Sequence, residues 1–219
     1  MAIRHRFDYS GGDWGGEALP TEYLWTAPAG AILLGYLLGS IPFGVILTRA
    51  FGAGDLRAIG SGSIGATNVL RTGRKGLALA TVLLDGGKGA AAVLLAAHLF
   101  PGHEVPAAAA AFLGHLYPVW LRFRGGKGVA TLIGICLALY WPIVLVFAVV
   151  WLGLFVAFRI SSVAGMSAAI STPIAAAMFG RFDLVLLLIA LALLVLWKHR
   201  TNIDRLFAGT EPRFGRKDG

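Results

Sequence analysis

Residues 129–158 read VATLIGICLALYWPIVLVFAVVWLGLFVAF, thirty consecutive positions without a charged side chain. A helix that crosses a bilayer uses about 17–25 apolar residues, so the run is too long for one ordinary span. Trp141-Pro142 stands near its middle, and proline disfavours helical backbone at the residue before it. Two helices meeting near Tyr140–Pro142 is therefore the better reading. Outward from this pair, further apolar stretches lie at 27–50, 77–100, 107–121, 163–179 and 183–197.

Composition points the same way. Of 219 residues, 57% are hydrophobic and 14% charged, with a mean hydropathy of +0.75; a soluble domain carries about 25% charged residues. An ordinary soluble enzyme and a disordered chain are both excluded. The single cysteine, Cys136, excludes a disulfide framework or a cysteine-based metal site, and within its apolar run it reads as a packed thiol. Residues 1–6 are basic, but the glycine-rich FDYSGGDWGGE follows at 7–17 where a signal peptide would place an apolar core.

Charge sets the count and the orientation. With seven spans, the segments 49–76, 120–128, 159–162 and 198–219 share one side and hold fifteen of the nineteen Lys and Arg residues. Arg4, Arg6 and Arg181 fall on the other side, and Lys88 lies within a span. A single span at 129–158 would set the basic tail against the two basic loops. Basic loops stay in the cytoplasm, so the expectation is an all-α polytopic membrane protein of about seven transmembrane helices, N-terminus outside and C-terminus cytoplasmic. Its parts are a polar N-terminal tail (1–26), one membrane domain (27–212) and a basic C-terminal tail (213–219).

Three of the basic segments carry chemistry. The first is GSGSIGATNVLRTG, residues 60–73. Its opening spells a dinucleotide-binding G-x-G-x-x-G, but that motif requires a preceding strand and a βαβ unit, which two apolar helices cannot supply. What remains is an anion-binding loop. Gly60 and Gly62 allow close backbone approach, Ser61, Ser63, Thr67 and Asn68 add side-chain donors, and Arg71 brings a planar, permanently charged fork suited to phosphate. The second segment, RFRGGKGVAT at 122–131, lacks the first glycine of a nucleotide-binding phosphate loop, that position being Leu121. Gly125, Gly126, Lys127 and Gly128 still form a turn into a helix, where unpaired N–H groups and the dipole attract anions. The third is KHRTNIDR at 198–205, followed by AGTEP; His199 and Asn202 would share a face if the last helix continues.

Asp85 and Lys88 repeat a Gly-Gly-Lys-Gly context inside a span, and at i,i+3 they read as a structural pair. His5, His98, His103 and His115 are weaker candidates. No His-x-x-x-x-Asp, Ser–His–Asp order or metal-ligand cluster stands out. Three anion-binding segments facing one compartment suit either an enzyme or a transporter of a phosphorylated solute.

The set GSIPFG (39–44), GSGSIGATNVLR (60–71), DGGKG (85–89), GHLYPVW (114–120), RGGKGVAT (124–131) and HRTNIDRLFAGTE (199–211) resembles the bacterial acyl-phosphate:glycerol-3-phosphate acyltransferases, integral inner-membrane enzymes. The resemblance covers about residues 30–212. It implies transfer of a fatty acyl group from acyl phosphate to the sn-1 hydroxyl of glycerol 3-phosphate, giving lysophosphatidic acid; from the residues, which offer no metal-ligand set, no cofactor, metal or nucleic acid is expected. A soluble enzyme that makes acyl phosphate is the implied partner. By the same resemblance Ser61 and Arg71 are the essential serine and arginine, Gly125–Gly128 bind the glycerol phosphate, His199 and Asn202 support activity, and Glu211 is structural. Ser63 stands where the family usually has asparagine. In the mechanism these roles suggest, Arg71, Lys127 and the loop amides hold phosphate while Ser61, His199 and Asn202 orient the hydroxyl; the proton passes either to a substrate phosphate oxygen or to His199 acting as general base.

Overall fold

The structure is a computed structural model that describes residues 21–58 and 62–215. The tail before residue 21, Ile59, Gly60, Ser61 and the last four residues lie outside the described residues. Among the described residues the regular elements are all helical.

Proline positions explain three of the helix breaks, at Pro42, Pro118 and Pro142. The stretch 27–50 is interrupted at Ser40-Ile41-Pro42, giving α1 (Thr21–Gly39) and α2 (Phe43–Ala50). The first motif folds into one short helix, α3 (Ala66–Leu70), and leads into α4 (Lys75–Leu99). Next comes α5 (Glu104–Leu116), which stops short of the expected residue 121. Pro118 disfavours helix at Tyr117, and the chain continues as a 3-10 turn at Val119–Leu121. The thirty-residue run divides where its proline predicts, into α6 (Val129–Tyr140) and α7 (Pro142–Phe158), with Pro142 at a first-turn position where its missing N–H costs nothing. The remaining elements are α8 (Ser161–Met178), α9 (Phe182–Lys198) and α10 (Arg200–Phe207).

The chain is a membrane protein by its outer surface: Leu186, Val156 and Val149 are 80%, 75% and 71% exposed, an arrangement that water would penalise and lipid does not. By length and composition, Trp25–Ala50, Lys75–Leu99 and Ser161–Met178 qualify as candidate spans on their own. Helices α9 and α10 qualify together although they meet at 57°, and α6 and α7 are apolar but shorter. The last helix thus turns at His199 instead of continuing straight.

Lipid supplies no hydrophobic drive between helices, so close packing of small residues takes over. A Cβ on Gly39 would overlap the Ala111 carbonyl oxygen, and one on Gly134 the Gly86 carbonyl oxygen. These contacts seat α1 against α5 and α4 against α6. A main core of Phe112, Leu116, Leu132, Ile135, Leu188 and their neighbours joins α5, α6, α8 and α9. A smaller one, built on Val45, Leu56, Ile64 and Val69, lies beneath the first motif.

Candidate active site

All three motifs end on one cavity of about 760 Å³. In the first, Ile64 and Val69 are buried in the small core, which leaves Ser63, Thr67 and Arg71 on the cavity wall. Asn68 also reaches the wall, but its amide nitrogen donates to the carbonyl oxygens of Leu56 and Ser63, each at 2.8 Å. It therefore holds the loop. Gly62 adopts a φ of 67°, a left-handed conformation natural to glycine, and is not among the lining residues.

The second motif is narrower in function than its sequence suggests. Gly125 N–H donates to the Leu116 carbonyl at 3.1 Å and Gly126 N–H to the His115 carbonyl at 3.1 Å. Both amides thus face the end of α5, not a ligand, which corrects the expectation that the whole turn presents its N–H groups. Lys127 and Gly128 reach the cavity. Gly128 has a φ of 87° and caps the start of α6, whose free amides carry the positive end of the helix dipole. Burial pushes the Lys127 ammonium down to about 8; Arg205 and Arg71 act in the same direction and Glu211 opposes them.

The third motif supplies a buried polar chain. Lys127 Nζ donates to Asn202 Oδ1 at 2.5 Å, and Asn202 Nδ2 donates to Glu211 Oε1 at 2.6 Å. The same oxygen accepts from Ser162 Oγ at 2.6 Å, while Arg205 Nε donates to Glu211 Oε2 at 2.7 Å. Burial alone would raise the Glu211 carboxyl, but these three hydrogen bonds hold it below the usual carboxylate range. His199, just past the last residue of α9, has Nδ1 2.8 Å from the Val195 carbonyl. A carbonyl only accepts, so Nδ1 carries the proton and Nε2 keeps its lone pair. Burial, reinforced by the Lys127 charge, pushes the imidazole down to about 4, leaving it neutral at physiological pH.

Asp85 and Lys88 meet at 2.7 Å, and Lys88 Nζ also donates at 2.7 Å to the Ile41 carbonyl freed by the break between α1 and α2. Sequence reasoning missed the third member. His115 Nδ1 lies 3.6 Å from Asp85 Oδ1, and both residues line the cavity. The two are thirty positions apart, on α4 and α5, and no local signal joins them. Ser162 and Lys75 were missed too, although a cation four residues after Arg71 was visible as a signal. Among the described residues no group of three His, Cys, Asp or Glu side chains is placed to hold a metal ion.

Away from the charged end the wall turns apolar, with Val82, Ile133, Phe147 and Trp151. One cavity thus offers cations for phosphate beside a greasy surface for a hydrocarbon chain.

Comparison with known proteins places this geometry. The family model for glycerol-3-phosphate acyltransferases matches residues 29–209. The glycerol-3-phosphate acyltransferase of Mesorhizobium japonicum is 56% identical over 187 residues, 85% of this chain and 96% of the relative. That of Rhodopseudomonas palustris strain BisB5 is 59% identical over 189 residues, again 85% and 96%. Among solved structures, the crystal structure of PlsY, an integral membrane glycerol 3-phosphate acyltransferase, in its glycerol 3-phosphate form aligns with a TM-score of 0.82 and 37% identity. It covers 86% of this chain and 96% of that one. The lysophosphatidic acid form gives 0.80 and 36%, with the same coverage.

Proposed function

The chain belongs to the glycerol-3-phosphate acyltransferase family, and on that premise we propose that it transfers a fatty acyl group from acyl phosphate to the sn-1 hydroxyl of glycerol 3-phosphate, releasing phosphate. The observation that carries the reading is the single cavity shared by the three motifs, cationic at one end and apolar along its wall. An acyl phosphate has the same two parts, and glycerol 3-phosphate requires only the polar one.

In this reaction the glycerol hydroxyl attacks the carbonyl of a mixed anhydride, the bond from that carbon to the phosphate oxygen breaks, and inorganic phosphate leaves. Arg71 and Lys127, aided by the start of α6, neutralise the charge that develops on the phosphates. His199, Asn202 and Ser61 orient the attacking hydroxyl. With its pKa at about 4, His199 is too weak a base to drive proton removal near neutrality. The proton passes instead to a phosphate oxygen of the substrate, and His199 Nε2 serves as an acceptor that aims the hydroxyl.

The same premise supports seven crossings, with the N-terminus outside and the C-terminus in the cytoplasm of a bacterial inner membrane. Two helices, α4 and α5, separate the first motif from the second, and four, α6 to α9, separate the second from the third. Even numbers of crossings return each motif to one face, as a shared cavity demands. In intact cells, an impermeant thiol reagent should label neither Arg124→Cys nor Thr210→Cys until the inner membrane is opened; labelling of only one overturns the count. A soluble, acyl-phosphate-producing enzyme would meet this face, and the bilayer would hold the acyl chain.

The enzymatic test uses the purified protein with palmitoyl phosphate and labelled glycerol 3-phosphate. Labelled lysophosphatidic acid from the wild type, none from Arg71→Ala and none when palmitoyl-CoA replaces the phosphate is the expected result. Product from palmitoyl-CoA alone overturns the donor.

A further inference from the structure

The C-terminal segment beyond α10 does not leave the molecule. Glu211 is held by Ser162, Asn202 and Arg205. Three residues later, Phe214 N–H donates to the Arg159 carbonyl at 2.8 Å, and its ring meets Phe155 edge to face with centroids 5.3 Å apart. Phe155 in turn stacks on Trp151 at 4.9 Å. Arg213 stands between these two anchors, exposed and lining the cavity. The family match ends at residue 209, before Arg213 and Phe214.

The charges on the cavity wall do not balance. Asp85 is paired with Lys88 and Glu211 with Arg205. Arg71, Lys75, Lys127 and Arg213 also line the cavity, and among the described residues none of them has a carboxylate within salt-bridge distance. A phosphate monoester carries about −1.5 to −2 at pH 7, so two phosphate-bearing substrates together present about −3 to −4. Arg71 and Lys127, which act on the phosphates at the reacting end, supply about half of the balancing charge and leave the rest unmatched.

Position assigns the remaining pair. Lys75 lies two helical turns before Val82 on α4, and at i,i+7 the two share a face. Arg213 adjoins Phe214, whose ring continues the Trp151–Phe155 stack. Both cations therefore lie on segments that also contribute to the apolar lining, Lys75 through Val82 on the same helix and Arg213 through its neighbour Phe214, and an amphiphile whose chain lies along that lining puts its head beside it. We infer that Lys75 and Arg213 form a second phosphate subsite, which binds the phosphate of the acyl donor, and that Phe214 pins the strap carrying Arg213.

This inference rests on acyl phosphate being the donor, so the wild type is tested first with palmitoyl phosphate. Steady-state kinetics then compare Lys75→Ala, Arg213→Ala, Arg213→Lys and Phe214→Ala, varying each substrate in turn. One lost charge-assisted hydrogen bond predicts a rise of about 10-fold in KM for palmitoyl phosphate in either alanine variant. The KM for glycerol 3-phosphate should stay within about twofold, with partial recovery in Arg213→Lys and the Arg213→Ala phenotype repeated in Phe214→Ala. All these side chains except Phe214 are exposed, so loss of fold does not confuse the result. An unchanged donor KM in both alanine variants, or a shift in the glycerol 3-phosphate KM instead, overturns the subsite while leaving the donor reading intact. A wild type inactive with palmitoyl phosphate but active with palmitoyl-CoA overturns both.

Discussion

Replacing Glu211 by alanine should loosen the site through the groups it leaves behind. Its carboxylate accepts from Ser162, Asn202 and Arg205, and its own side chain is 6% exposed. Ser162 and Asn202 are 4% and 5% exposed, so neither donor can turn to water. A buried unsatisfied donor costs about 1–3 kcal/mol, and two of them give about 2–6 kcal/mol. Arg205, with a third of its side chain exposed, is rehydrated and adds less than about 1 kcal/mol. The apparent melting midpoint in detergent should fall by roughly 4–24 °C. Asn202, released from Glu211, no longer orients Lys127, and the KM for glycerol 3-phosphate should rise. Glu211→Gln keeps a side-chain oxygen for Ser162 and Asn202 and loses only the ion pair with Arg205, so its midpoint should drop by no more than about 2–4 °C. Thermal scanning of the three proteins by intrinsic fluorescence reads both numbers. Equal loss in the alanine and glutamine variants would mean that charge, not acceptor geometry, is what Glu211 supplies, and would refute the reasoning.

Three further expectations concern the neighbouring groups. Lys127 titrates at about 8, so raising the pH through that value removes its charge from the free enzyme. Accordingly, kcat/KM for glycerol 3-phosphate should fall above about pH 8, and Lys127→Arg, which keeps its charge, should shift this limb to higher pH; a limb unmoved by the substitution sinks the assignment. His199→Gln should lower kcat while preserving the shape of the pH–rate profile between pH 6 and 9, because a neutral imidazole contributes no limb there; the disappearance of a limb near neutrality would restore the histidine as base. In Gly126→Ala the added Cβ would run into the His115 ring, which is 3% exposed and backed by Asp85. Such overpacking costs about 1–3 kcal/mol and should displace Lys127, raising the glycerol 3-phosphate KM. Gly87→Ala, where a Cβ meets nothing within 4 Å, serves as the control and should not reduce stability.

Much of the scaffold follows from local chemistry. Pro142 separates α6 from α7, Pro118 ends α5, and the absence of charge over 129–158 requires lipid or a buried neighbour along both helices. The residue types that handle phosphate were legible in the same local way, because a guanidinium, an ammonium ahead of a helix start and a glycine turn keep their character in any surroundings. Direction was not legible. Gly125 and Gly126 resemble anion-binding amides in sequence, yet α5 ends beside them with unpaired carbonyl oxygens and takes both N–H groups. Asn68 reads as a donor to a ligand, and the loop takes its nitrogen.

Sequence by itself determined the helical, membrane-embedded character of the chain and the inventory of charged and polar groups at each segment, since hydropathy and side-chain chemistry are properties of neighbouring residues. Tertiary structure alone decided which of those groups meet. The return of Arg213 to the cavity depends on the anchors at Ser162, Arg159 and Phe155, and the Asp85–His115 contact depends on how closely α1, α4, α5 and α6 approach. That approach is set where the backbone of one helix presses on a glycine of another, a distance that no spacing along the chain encodes.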